Sequence, residues 1–210
     1  MNKEIRMRTS KIEVRQQENE PTKIVGTVVR FNELSLPIGY GGQFREKIEV
    51  GAFAKSIESR NVKALWNHDT SKPLGNLRSG TLKLWESKEG LEVEVIPPDN
   101  TWGNDAIESL KRGDVEGYSF GFICTKDEWK EESDKTIIRT IKEAELFEIS
   151  PCTFPCYEGN TNAQVRSIDQ AYQHHIDTSQ KDDDYIKNLQ SKAQRSLFIL
   201  QQKLNLKERI

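Results

Sequence analysis

Along most of this chain, apolar and polar positions alternate in short runs, the pattern of strands with one face against a core. Lys23–Phe31 (KIVGTVVRF) is rich in β-branched residues and predicts a central strand. Arg45–Val50 (REKIEV) predicts another, followed by GAFAKSIES, where Phe53 and Ile57 stand four apart as on one face of a short helix. Val62–His68 (VKALWNH) reads as a strand that runs into Asn67-His68-Asp69. Thr81–Trp85 and Leu91–Ile96 flank Ser87-Lys88-Glu89-Gly90, a hairpin turn in which Gly90 supplies the unusual backbone geometry. Thr101–Arg112 predicts a helix capped by Thr101, apolar along Ala106, Ile107 and Leu110, and ended by Gly113. Val115–Cys124 and Ile137–Ile149 are further strands. Pro151 and Pro155 should then close the packed part, since proline has no N–H to give a ladder. The fold class is mainly β with a few helices (α+β), its strands expected in one barrel-like sheet.

The pattern changes at Glu158–Asn162, a short polar stretch with Gly159 and two asparagines. Residues 1–160 are therefore read as one domain, residues 161–184 as a polar linker and residues 185–210 as an amphipathic helix. In that last segment Ile186, Leu189, Ala193, Leu197, Leu200 and Leu204 recur at intervals of three and four. Such a seam either folds back on the domain or serves in docking and self-association.

Composition narrows the classes. Of 210 residues, 35% are hydrophobic and 30% charged, a lean balance that fits an unpacked tail. A net charge of −2 gives no broad pull toward nucleic acid. No apolar run approaches a membrane span, and MNKEIRMRTSKIEV lacks the apolar core of a secretory signal, so a cytoplasmic protein is expected. Cys124, Cys152 and Cys156 are too few, and odd in number, for a disulfide framework.

Three positions can carry chemistry. In Gly117-Tyr118-Ser119-Phe120-Gly121-Phe122, strand alternation puts Tyr118, Phe120, Phe122 and Cys124 on one packed side. Ser119 falls on the other side between two glycines, in a trough that a substrate backbone could enter. A bulge or close packing explains the same glycines without chemistry. The letters also match a G-x-S-x-G elbow, but that motif needs a strand–turn–helix and this stretch reads as continuous strand. His68 ends its strand and is the sole histidine of the globular part, because His174 and His175 lie in the tail. Its side-chain type titrates near neutrality and suits a general base. Glu148, inside Leu146-Phe147-Glu148-Ile149, is a carboxylate in an apolar strand and needs a partner, such as a histidine N–H, unless it points to water. Glu145 and Asp69 are its rivals for that role. A cysteine nucleophile and a zinc site are both disfavoured, for want of a second histidine near the cysteines and of ligand-pair spacing.

Five stretches, in order, carry a resemblance: IEVGAFAKSI, ALWNHDTSKPLG, EGLEVEVIPP, WGNDAIESLKRGDVEGYSFGF and AELFEISPCTFPCY. From Ile24 to Tyr157, about two-thirds of the chain, the sequence resembles the prohead maturation proteases of tailed bacteriophages, relatives of the herpesvirus protease fold. The resemblance implies a serine endopeptidase with Ser119 as nucleophile, His68 as base and Glu148 as the acid. It implies major capsid and scaffold proteins as substrates inside the immature capsid of a host cell, with self-cleavage and self-association. It calls for no metal, no other cofactor, no nucleic acid and no membrane. The alternative is a non-catalytic assembly or scaffold protein with the same fold.

Overall fold

A computed structural model describes residues 3–10, 12–39, 42–153, 171–181, 185–187 and 189–192. The chain divides into two compact units, Met1–Asp169 and Gln170–Ile210. In the first, the described residues run β1 (Glu4–Thr9), β2 (Ile12–Arg15), β3 (Lys23–Arg30), β4 (Arg45–Ile48), α1 (Ala54–Ser59), β5 (Lys63–Trp66), β6 (Asp69–Asn76), β7 (Leu82–Glu86), β8 (Gly90–Val95), α2 (Thr101–Arg112), β9 (Gly117–Glu131) and β10 (Ile137–Cys152).

The strands form two sheets, not the one barrel-like sheet expected. One runs β1-β9-β10-β5-β6 with β4 also on β10; the other runs β2-β3-β8-β7. A 16-residue β10 makes the larger sheet possible, because it pairs in parallel with β4 at Ile138–Ile141 and with β5 at Glu148–Ile149. Between the sheets lies one apolar core that includes Ile24, Val28, Leu91, Val93, Phe53, Phe120, Phe122, Leu146 and Ile149. Phe120 and Phe122 stack 5.5 Å apart, and Phe53 meets both edge-on. The side assigned to Tyr118, Phe120 and Phe122 from alternation is thus the core side.

Two early strands were not legible. β1 has charged residues at alternate positions, Glu4 and Arg6, yet both are buried. Arg6 pairs with Glu4 (2.5 Å) and Glu46 (2.8 Å), while Arg139 pairs with Glu4 (2.7 Å), Glu46 (3.0 Å) and Asp127 (2.7 Å). Burial pulls the Arg6 and Arg139 pKa values down, and the Glu46 and Glu4 carboxylates more than offset it, so both guanidinium groups are held above their ordinary range. This five-residue cross-brace ties β1 to β4, β9 and β10, and hydropathy patterns cannot show it.

Local corrections follow from hydrogen bonding. Asn100, not Thr101, caps α2, since its side chain accepts from the Gly103 N–H; Gly113 ends the helix in the left-handed conformation, as the sequence suggests. Pro151 does not close the sheet. It lies inside β10 opposite Tyr118, and its carbonyl accepts from Asn67 N–H at 3.1 Å. Pro155, Cys156 and the Glu158–Asn162 boundary lie outside the described residues. In the second unit residues 171–181 are helical, within the segment read as linker, as are residues 185–187 and 189–192. Ile186 and Leu189, the first two seam positions, are exposed, and the seam from Ala193 onward lies outside the described residues.

Candidate active site

The backbone of β10 sets the site through one irregularity. Leu146 pairs with Phe122 and faces the core, and regular alternation would point Glu148 the same way. A register shift between Leu146 and Glu148 places Phe147 as the extra residue, so Glu148 pairs with Gly121 and Ser150 with Ser119. Glu148 is thereby moved off the aromatic face and onto the face that carries Ser119. Helix α1 supports the bulge, because buried Ser56 Oγ accepts from Leu146 N–H at 2.7 Å and donates to Leu146 O at 3.3 Å. Gly121 is needed here for space. A Cβ added to it would lie 2.7 Å from Glu148 Oε1 and 2.8 Å from Lys3 Cε. The glycine therefore makes room for the carboxylate, whereas the sequence suggested that it makes room for substrate.

His68 does not end a continuing strand. Trp66 and Asp69 pair across a two-residue turn, Asn67-His68, with φ of 49° and 60°. Positive φ at both positions defines the tight hairpin turn whose twist matches its strands, and Asn and His are among the residues that tolerate it. The turn is tied to the end of β10: Thr153 N–H donates to Asn67 Oδ1 at 3.0 Å, and His68 N–H donates to Ser150 Oγ at 3.3 Å.

These two local devices bring His68 and Glu148 together. His68 Nδ1 lies 2.8 Å from Glu148 Oε1, and Ser150 Oγ donates to Glu148 Oε2 at 2.7 Å. A buried carboxylate accepts, so the ring carries its proton on Nδ1. His68 Nε2 is left buried with no hydrogen-bond partner among the described residues. The rivals are engaged elsewhere. Asp69 accepts from Ser71 N–H and Oγ, interactions that hold its carboxyl below the usual range, and Glu145 pairs with Arg60.

Ser119 shares this face but is not joined to His68. It is fully buried, and its hydroxyl donates to Arg6 O at 3.0 Å. β1 runs beside it in the sheet, with Met7 paired to Ser119, and at Gly121 the Lys3 side chain fills part of the trough foreseen on that face. Ser150, on the other side, was missed by sequence reasoning; its one signal was a position two residues after Glu148. The surroundings of Cys124 and Cys152 favour the neutral thiol. Burial pushes Cys124 up to about 12, and burial with the Glu148 charge does the same to Cys152.

Serine-nucleophile hydrolysis requires a histidine oriented by a carboxylate, and here the His68–Glu148 pair lies on the strand face that carries Ser119. Comparison with known proteins supplies the family. Residues 10–175 match the family described as caudovirus prohead serine protease, and the chain belongs to that family. The prohead protease of Escherichia phage T5 is 34% identical over 110 residues, covering 52% of this chain and 48% of that protein. That of Enterobacteria phage HK97 is 33% identical over 123 residues, covering 57% and 52% respectively. The matched stretch thus spans about half the length of these curated relatives. The structure of the bacteriophage T4 capsid assembly protease aligns with a TM-score of 0.47 at 7% identity, over 74% of this chain and all of that one. Among the described residues no helix is long and apolar enough to cross a membrane.

Proposed function

We propose that this chain is a serine endopeptidase that acts in phage capsid maturation, with Ser119 as nucleophile, His68 as general base and Glu148 as the carboxylate that orients the ring. The observation that carries the reading is a histidine whose Nδ1 is fixed by a buried carboxylate and whose Nε2 has no hydrogen-bond partner among the described residues. A structural histidine in a polar site would normally use both nitrogens.

In this mechanism Ser119 Oγ attacks the scissile carbonyl as its proton passes to His68 Nε2. Glu148 stabilises the imidazolium, which then protonates the leaving amine, and water releases the acyl group by the reverse sequence. Ser119 must first turn its hydroxyl from Arg6 O toward His68. The face that carries the fully buried Ser119 must also open for a substrate to reach it. The substrates are the scaffold protein, the major capsid protein or both, in the immature shell. The family membership supports this location, and the exposed Ile186 and Leu189 support a second-unit helix used in docking or self-association.

The second reading is a non-catalytic assembly protein of the same fold. One observation favours it, namely that Ser119 is buried and its hydroxyl already spent on Arg6 O. Exposure of the full chain to a small alkyl fluorophosphonate, followed by peptide mass mapping, separates the two. An adduct on Ser119 that disappears in His68→Ala is expected. A wild-type chain that takes no adduct on any serine, under conditions where β1 exchanges its amides, selects the non-catalytic reading.

A further inference from the structure

We infer that Ser150 is a positioning residue of this site, holding both the base and its carboxylate in register with Ser119. The inference rests on the peptidase reading above and deepens it. Ser150 is fully buried and lies directly opposite Ser119 across β9 and β10, so the two side chains share a face. Its hydroxyl does two things at once. It donates to Glu148 Oε2 at 2.7 Å, and it accepts the backbone N–H of His68 at 3.3 Å.

Each contact restrains a different freedom. Glu148 has two oxygens; His68 takes Oε1 and Ser150 takes Oε2, so the carboxylate plane cannot swing without leaving a buried lone pair unmet. His68 sits at a left-handed position in a two-residue turn, and its N–H points into the protein. Ser150 receives that N–H and thereby fixes the turn relative to β10. An alanine here would free both ends of the His68–Glu148 pair while removing only one oxygen atom. A serine serving the core alone would need one partner, and the backbone carbonyls of its own strands could supply it.

The test uses the full chain with a small alkyl fluorophosphonate, with the maximal inactivation rate and the probe's half-saturating concentration measured separately for wild type, Ser150→Ala and Ser150→Cys. The maximal rate at Ser119 should fall roughly ten- to a hundred-fold in Ser150→Ala, as expected for a catalytic group displaced by a fraction of an ångström to an ångström. Half-saturation should stay unchanged, and Ser150→Cys, similar in shape but a weaker donor, should recover part of the rate. A Ser150→Ala rate equal to wild type overturns the inference, as does a change confined to half-saturation. If Ser150→Ala does not fold, Ser150→Cys carries the test, and the wild type supplies a reading that needs no variant. In proton NMR the Ser150 hydroxyl should exchange slowly and show a cross-peak to the His68 amide; a fast-exchanging hydroxyl overturns the inference. Failure of the broader reading looks different, because wild type then takes no label at all, or takes it on Ser150.

Discussion

Glu148→Gln removes one charge and almost no volume, so it isolates what the carboxylate does. Glu148 is buried, with Oε1 on His68 Nδ1 and Oε2 receiving the Ser150 hydroxyl. A glutamine offers one acceptor and one donor to a site that asks for two acceptors. With its NH2 toward His68, the ring must move its proton to Nε2 and can no longer take one from Ser119. With its NH2 toward Ser150, the hydroxyl must accept from it while already accepting from His68 N–H. Either arrangement also loses the charge that stabilises the imidazolium. For a buried carboxylate that orients a base, such a loss lowers the rate by about 10³- to 10⁴-fold, or about 4–5.5 kcal/mol of transition-state stabilisation. The assay is fluorophosphonate inactivation or substrate cleavage by the full chain, with circular dichroism to confirm that the variant is folded. Asp69→Asn and Glu145→Gln serve as controls and should keep the wild-type rate, because Ser71 and Arg60 hold those carboxylates away from His68. A Glu148→Gln rate within threefold of wild type, or an inactive Asp69→Asn, would refute the assignment.

Other predictions rest on separate contacts. Gly121→Ala places a Cβ against Glu148 Oε1 and should slow turnover about a hundredfold with the fold retained, as shown by an unchanged amide spectrum outside β9 and β10. Arg139→Met leaves Glu4 and Glu46 to Arg6 alone and should cost about 3–5 kcal/mol in urea unfolding; a loss below 1 kcal/mol would show that the brace is not needed. Because burial favours the neutral thiol, Cys124 and Cys152 at pH 7 should hold roughly a thousand-fold less thiolate than an ordinary cysteine, and iodoacetamide should modify them quickly only after unfolding. A native-state alkylation rate that levels off between pH 8 and 10, as it does for an ordinary thiol, would contradict that environment.

What the sequence disclosed, and what it hid, divides along a physical line. Features set by neighbours along the chain were legible: the packed face of Tyr118, Phe120 and Phe122, the helix ending at Gly113, and the need of an embedded Glu148 for a partner. Features set by partners far along the chain were not. β1 looks polar because its burial depends on Glu46 and Arg139, far from it in sequence. The bulge at Phe147 shifts the register by one residue, which reverses the face of Glu148, and no alternation rule reports such a shift. The Asn67-His68 turn was hidden because Val62–His68 has good strand composition up to its last residue. Ser150 passed unnoticed because a serine between an isoleucine and a proline carries no pattern of its own. The expected trough beside Ser119 failed for the same reason as β1: its occupant comes from the chain's first residues.

The central claim is that Ser119 is the nucleophile of a capsid-maturation peptidase. Its most direct test is co-expression with the major shell protein of the same genome, wild type against Ser119→Ala, read by intact mass. The account predicts a shortened shell product with wild type, its full-length mass with Ser119→Ala, and an equal amount of soluble chain in both. Cleavage at the wild-type positions by Ser119→Ala would contradict it.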